Sequence, residues 1–331
     1  MASAQALAST ALACTFWVDR DEKKPHIRVY YQGSNFSVHE VKWDNGAWKP
    51  GSQPVFTLDS RSPLAAIAYP GDDDDNIIPP ANPAIHIYYI DHSGSSPQIK
   101  DWVKSEGTDV WSYNGIVPTF HLSPISALAA TEYSDPFIRL YYQDTSGCIR
   151  ECRWSSETRK WTDGADSIIS RGQPFLGTPI GADTDNTHDS GVVTVAWLDQ
   201  NQKLAGASVE NDQDDPSYCY PLVLPDCPAS KSGSITVAMW SEDKIHIYYD
   251  GDNDGIQKIE KKIEKTKEQI PPSSAKWSGP INSFTGDITN PNIDGQGALA
   301  SAAFSPGNAG DHVGSVFYQP VGNNNIVEVL L

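Results

Sequence analysis

One phrase recurs six times along the chain, and it constrains the fold more than any other feature. It reads IRVYY from Ile27, IHIYY from Ile85, IRLYY from Ile138, VTVAW from Val193, IHIYY from Ile245 and SVFYQ from Ser315. The matching residues fall at positions 28, 86, 139, 194, 246 and 315, giving steps of 58, 53, 55, 52 and 69 residues. A repeat of this length marks one supersecondary unit stacked on copies of itself. Ahead of each phrase stands a second apolar run: ALACTFW, PLAAIAY, ALAATEY, an eroded PIGADTD, SITVAMW and ALASAAF. Behind it comes a hairpin partner such as SVHEVKW or CIRECRW, and often a tryptophan segment ending near glycine, such as WKPG, WTDG or WSGP. Three to four short antiparallel strands per repeat, six times over, predict an all-β chain folded as a six-bladed β-propeller with four-stranded blades. The expected blades span about residues 8–58, 59–120, 121–174, 175–228, 229–290 and 291–331 of a single domain. The last unit ends after its third strand, so its outer strand is either missing or supplied from Met1 to Leu7.

Composition agrees with many short strands. The 331 residues include ten Trp, fourteen Tyr, 25 Gly and 24 Pro, with apolar runs broken by turn residues throughout. Forty-two acidic against 24 basic side chains leave a formal charge of −18, which repels phosphate backbones and argues against a nucleic-acid partner. No run of about 18 apolar residues is present, so no membrane insertion is expected. The opening MASAQALASTALACTFW lacks a basic start and a long hydrophobic block. It reads as a first strand rather than a secretory leader, with the chain cytoplasmic or released without one. Five cysteines are too few for a disulfide framework; Cys148 and Cys152 lie on one strand and cannot bond, and Cys219 with Cys227 is the one plausible pair against five free thiols.

An arginine and a glutamate recur at fixed places. Arg28 and Glu40 are twelve apart, as are Arg139 and Glu151, with turns that centre on Ser34 and Thr145. Residues equidistant from a hairpin turn face each other, so each pair is expected to meet across the ladder. Two readings stand side by side. One is an exposed cross-strand ion pair, worth at most about 1 kcal/mol, so that Arg28→Ala or Arg139→Ala would leave the fold intact. The other is a fork of donors beside a pair of acceptors, with indoles nearby, which suits a ring of hydroxyls with one apolar face.

The phrase IR[VL]YYQ, with Glu twelve residues after its Arg and then Trp, resembles the fungal fucose-specific lectins, the family of the orange peel mushroom lectin. The likeness runs from about Ala11 to Leu331 and is strongest in units one and three. It implies a non-enzymatic six-bladed propeller, without cofactor, that binds L-fucose or fucosylated glycans and glycoproteins between adjacent blades. By that resemblance Arg28 with Glu40 and Arg139 with Glu151 grip the sugar, and tryptophans of the following blade pack against its apolar side. Several weak pockets gain avidity on a multivalent glycan, and a homodimer would extend this.

Other units depart from the pattern. The matching positions are His86 and Asp101, Thr194 and Gly206, His246 and Lys258, and Ser315 and Glu328. A neutral histidine does not replace a guanidinium fork. The aromatic wall for Arg28 comes from unit two, which offers Trp111 but Lys104 in place of its first indole. For Arg139, unit four offers Val209 and no clear second indole. Trp43 with Trp48, and Trp154 with Trp161, are complete walls; they face Ser315/Glu328 and His86/Asp101.

Three further features carry less. Asp250, Asp252 and Asp254 alternate in DGDNDG and form a weak Ca²⁺ candidate, since Lys258 and Lys261 stand where closing carboxylates belong. Asp72 to Asp75 read as a solvated loop, and IEKKIEKTKEQ as a charged surface excursion. The alternative function is a glycoside-processing enzyme, which needs two spaced carboxylates, one with a raised pKa. The repeated acids here sit beside arginine, which lowers it, and no catalytic signature sequence occurs.

Overall fold

The computed structural model describes residues 5–8, 10–19, 24–44, 46–51, 53–69, 83–133, 137–155, 157–165, 167–170, 174–184, 192–210, 219–229, 234–241, 244–251, 255–262, 277–282, 299–304, 313–320 and 324–330. Six small antiparallel sheets form a ring, and no helix occurs among the described residues. Blade one contains β1 (Leu12–Val18), β2 (Pro25–Gln32), β3 (Ser37–Asp44) and β4 (Ala47–Pro50), with β5 (Phe56–Thr57) also pairing with β3. Blade two contains β6 (Leu64–Tyr69), β7 (Ala84–Asp91), β8 (Gln98–Lys104) and β9 (Trp111–Val117). Blade three contains β10 (Leu128–Tyr133), β11 (Phe137–Gln143), β12 (Ile149–Ser155) and β13 (Lys160–Thr162). Blade four contains β14 (Gly181–Thr184), β15 (Val192–Leu198), β16 (Leu204–Glu210) and β17 (Cys219–Pro221). Blade five contains β18 (Ile235–Ser241), β19 (Lys244–Gly251), β20 (Gly255–Lys262) and β21 (Trp277–Asn282). Blade six has β22 (Leu299–Phe304), β23 (Val313–Tyr318) and β24 (Val327–Leu330).

The recurring phrase is the second strand of each blade, apolar on both faces because a neighbour covers each face. On β2, Ile27, Val29 and Tyr31 pack toward blade six, while Tyr30 packs toward blade two with Val38, Ile85 and Ile87. Alternation along the strand therefore sorts side chains between two seams. The first strands line the axis, each touching the next from β1 round to β22 and back to β1.

Polar links fix the spacing of blades. Gln32 donates to Ser60 O at 3.1 Å and accepts from Ser62 N at 3.1 Å, on the segment that enters β6. Gln143 makes the same two links to Phe175 O and Gly177 N before β14. Gln319 of the last blade accepts from Thr10 N and donates to Leu7 O, which closes the ring onto β1. A hydroxyl supports each entry: Thr10, Ser62, Ser126 and Thr178 accept from the backbone N–H of Gln32, Ile90, Gln143 and Leu198, at 2.7–2.8 Å.

Of the two alternatives for the outer strand of blade six, absence or supply from Met1 to Leu7, the described residues fit the first; residues 1–4 lie outside them. Ala6 instead bridges to Gly33 and donates to Asn324 O, and among the described residues blade six has three strands. All five cysteines are free, Cys219 and Cys227 included. Asp72 to Asp75 and residues 263–269 of the expected excursion lie outside the described residues; its first four residues, 259–262, instead continue β20, with Ile259 and Lys261 buried.

The first strands surround a central cavity of about 470 Å³ that includes Glu132 and Asp183 among its lining residues. Burial lifts the Glu132 carboxyl to about 8 and that of Asp183 to about 6, the latter despite hydrogen bonds from Met239 N and Thr184 N. In this range the folded chain holds protons that the unfolded chain has released, so stability falls as pH rises from about 4 to 8. Thermal melts from pH 5 to 9 are expected to show that slope, and Glu132→Gln with Asp183→Asn is expected to flatten it.

Candidate functional site

The hairpin turns set where the repeated charges meet. In blade one the loop Ser34–Phe36 is closed by Gly33 N to Ser37 O at 2.8 Å, with Phe36 in the left-handed region at φ 62°. Gly147 (φ 87°) and Gln202 (φ 60°) take the same place in blades three and four, a three-residue loop ending in a left-handed residue. The centres are therefore Asn35 and Ser146, one residue beyond the Ser34 and Thr145 expected from the sequence. Arg28 pairs with Lys42 and Tyr30 with Glu40; Arg139 pairs with Arg153 and Tyr141 with Glu151. Arg and Glu share a face but stand diagonally, and the residue opposite each Glu is a tyrosine.

In the seam between blades one and two, Glu40 accepts from Tyr30 OH at 2.9 Å and lies 3.1 Å from Lys42 Nζ. Arg28 donates through Nη1 to Asp44 at 2.9 Å and lies 3.8 Å from Glu40, with its guanidinium 4.7 Å above the Trp17 ring. Burial opposes ionisation of Asp44, but His26 and Arg28 hold its carboxyl down at about 2. Trp111 of blade two meets Tyr30 edge-on at 5.9 Å.

In the seam between blades three and four, Glu151 accepts from Tyr141 OH at 2.6 Å and from Arg139 at 3.3 Å, and Arg153 Nε also bonds to it. Burial works against the Glu151 charge, but Arg139 and Arg153 keep its pKa below the ordinary range. The facing wall is Val209 and Cys219, whose thiol donates to Ile169 O. The seam between blades two and three carries His86, 3.0 Å from both Asp101 oxygens, with Asn114 donating to Asp101 at 2.7 Å. Trp161 meets Tyr88 edge-on at 5.9 Å, and Trp154 lies across the ladder from Trp161.

In the seam between blades six and one, Glu328 accepts from Ser315 Oγ at 2.8 Å and, across the interface, from Trp48 Nε1 at 2.7 Å. Trp48 also meets Phe317 edge-on at 5.5 Å, and Trp43 lies across the ladder from it. The remaining seams are poorer. Thr194 and Gly206 carry no charge; in that seam Trp277 of blade five packs with Ala196, Leu198 and Leu204 and lies across the ladder from Lys261, a wall position the sequence reading left unassigned. His246 bonds Tyr248 OH at 2.9 Å, and burial lowers its pKa to about 4. Of the calcium candidate, Asp250 is buried on β19, while Asp252 and Asp254 lie outside the described residues; no metal-binding cluster occurs among the described residues.

The structure corrects the expectation of an exposed ion pair. Arg139 is 1% and Glu151 0% exposed at the side chain, and Arg28 and Glu40 are buried as well. Removing one partner of a buried pair leaves its charge in a poor dielectric. Arg139→Ala is therefore expected to lower unfolding stability in urea by roughly 3 kcal/mol, the low end of that effect because Arg153 remains beside Glu151. Arg153→Ala, whose side chain is 24% exposed, is expected to lose less.

The fold and its seams define a six-bladed β-propeller with carboxylate and indole groups repeated between blades. No protein-family model matches the sequence. The fucose-specific lectin of Aleuria aurantia is 25% identical over 239 residues, 69% of this chain and 69% of that protein. The fucose-specific lectin of Arthroderma benhamiae is 30% identical over 150 residues, 44% of this chain and 38% of that protein. The six-bladed crystal structure of the Aleuria aurantia lectin superposes with a TM-score of 0.73 at 21% identity, covering 99% of this chain and 93% of that one. A variant of that lectin solved with alpha-methyl-L-fucoside gives 0.72 at 20%, with the same coverage. The chain is thus similar to the fungal fucose-specific lectins, as a divergent relative of them.

Proposed function

We propose that the chain is a lectin that recognises L-fucose or fucosylated glycans at a subset of its blade seams. The observation that carries this reading is the tie between Glu328 and Trp48 across the closing interface. A carboxylate offers acceptors to sugar hydroxyls, and a half-buried indole beside it offers an apolar wall. At two further seams an acid and an indole flank one tyrosine: Asp101 lies across the ladder from Tyr88, which meets Trp161, and Glu40 from Tyr30, which meets Trp111. Similarity to lectins whose names state fucose specificity supports the ligand class. By position, Arg28, Glu40 and Trp111 would form one site; His86, Asp101, Trp154 and Trp161 a second; Glu328, Trp43 and Trp48 a third; and Arg139 with Glu151 a fourth without an indole wall.

Titration calorimetry with alpha-methyl-L-fucoside decides the matter. Trp48→Ala and Trp161→Ala are each expected to reduce the stoichiometry by one site while the melting curve stays cooperative. Unchanged stoichiometry in both would remove the assignment. Loss of an aromatic contact costs about 0.5–1.5 kcal/mol beyond the lost area burial, and each 1.4 kcal/mol is about tenfold in affinity, enough to take a weak site out of range.

A second reading, a glycoside-processing enzyme, is favoured by the central cavity. There Glu132 and Asp183 line one cavity, and burial lifts the Glu132 carboxyl to about 8, as a general acid requires, and the Asp183 carboxyl to about 6. Incubation with nitrophenyl glycosides tests it; release that disappears in Glu132→Gln would favour the enzyme.

A further inference from the structure

The first strands place three layers of side chains around the axis, because every second residue of a strand shares a face. Leu12, Leu64, Leu128, Ile180, Ile235 and Leu299, one from each blade, form an aliphatic ring at one end of the central cavity. Two residues further along, the layer is mostly small: Cys14, Ala66, Ala130, Ala182, Val237 and Ser301. These leave the axis hollow. Two residues further again come Phe16, Ala68, Glu132, Thr184, Met239 and Ala303. From Leu128 to Glu132 the chamber follows β10 for ~13 Å at the usual strand rise. Its volume of about 470 Å³ falls within the range of small-molecule sites.

Two polar groups of the third layer lack partners. Glu132 is the one charged side chain of the three layers, and among the described residues nothing bonds its carboxyl; burial alone lifts its pKa to about 8. Thr184, on the neighbouring blade, is buried, and its Oγ1 has no hydrogen-bond partner. An enclosed polar group left unpaired costs free energy, so both point to a ligand that supplies what the chain does not. Asp183 plays a different part: it accepts from Met239 N of blade five, as Thr15 accepts from Ala68 N of blade two. Access runs along the axis. The aliphatic ring also lines a second cavity, of about 570 Å³, whose lining includes the exposed Arg61, His92 and Ile125. Phe16, Glu132 and Met239 are only half-buried, with surface left to the chamber.

We propose that this chamber binds a small primary ammonium, its charge paired with Glu132, one N–H donated to Thr184 Oγ1 and its alkyl part against the aliphatic ring. Acceptors, an aromatic ring and a thioether share one layer, and no layer carries a cation, which suits a positive group. The formal charge of −18 draws such a ligand in. Binding exchanges one proton: Glu132 releases it to solvent as the ammonium arrives, since an opposite charge nearby favours the ionised form. A turn of Thr184 between staggered wells of χ1 brings Oγ1 onto the ligand. The chamber stands apart from the seams, so failure of this inference leaves the lectin reading as it is.

Titration calorimetry of n-hexylammonium into the full chain tests it, at pH 6.5 and 7.5 and in buffers of different ionisation enthalpy. One site is expected, with affinity roughly eightfold higher at pH 7.5 as Glu132 loses its proton, and about one proton released per ligand at pH 6.5. The other titratable groups lining the chamber are Cys14 of β1, whose thiol pKa burial raises, and Asp183 of β14, at about 6; β6, β18 and β22 contribute none among the described residues. Glu132 therefore changes most between these pH values. Glu132→Gln is expected to abolish binding. Thr184→Val is expected to weaken it about two- to tenfold with the pH dependence kept, and without a lower melting temperature, because it removes an unpaired hydroxyl. If Glu132→Gln does not fold, the pH dependence and Thr184→Val carry the test. No binding at either pH, equal affinity at both, or binding retained in a folded Glu132→Gln overturns the inference.

Discussion

A sheet of four short strands cannot cover its own two faces, and every other property of this chain follows from how that shortage is met. Each blade is sandwiched between two others, so the second strands are apolar on both sides and the seams become the core. Packing alone would let flat sheets slide. The glutamines at the ends of the second strands prevent it by bonding the chain as it enters a neighbouring blade, at Gln32, Gln143 and Gln319. Buried side-chain links of this kind are strong because the alternative is an unpaired polar group away from water. The last of them joins residues more than 300 positions apart and turns a row of blades into a ring.

The seams are also where the chemistry lies, and for a related reason. A residue on the second or third strand faces one neighbour or the other according to parity, so each site is assembled from two blades. Glu328 and Trp48 are far apart in sequence and 2.7 Å apart in space. A substitution in one blade's outer strands therefore alters the site of the blade before it. That is why Lys104, on blade two, changes the surroundings of Arg28 and Glu40 on blade one.

Much of this was legible in the sequence. The six phrases located the second strands, and the family resemblance set Trp48, Trp111 and Trp161 against the preceding blade, where their rings meet Phe317, Tyr30 and Tyr88. The exact partners were not legible, because a turn centred on Asn35 and one centred on Ser34 present the same apolar pattern. Moving the centre by one residue slides the partner by two and leaves the face unchanged, so the error passes unnoticed at the level of burial. The tyrosines opposite each glutamate were hidden for the same reason: Tyr30 and Tyr141 read as core residues, and their hydroxyls found partners only in the true register. Nor does a pair of opposite charges announce its depth. Arg139 and Glu151 read as surface residues by type and are enclosed because Tyr141, Arg153 and the next blade surround them.

The depth of these pairs separates two roles that one motif can play. Where Arg, Glu and Tyr satisfy one another inside a seam, as at Glu151, three donors already occupy the carboxylate and little acceptor capacity is left for a ligand. Where the carboxylate is held by neutral donors, as Glu328 is by Ser315 and Trp48, its oxygens keep lone pairs for an incoming hydroxyl. Loss of arginine at a seam thus removes a binding group and also the group that competes with the ligand for the carboxylate. Under the proposed lectin reading, divergence among the blades redistributes recognition between seams, because the residues assigned to the sugar also hold the blades together.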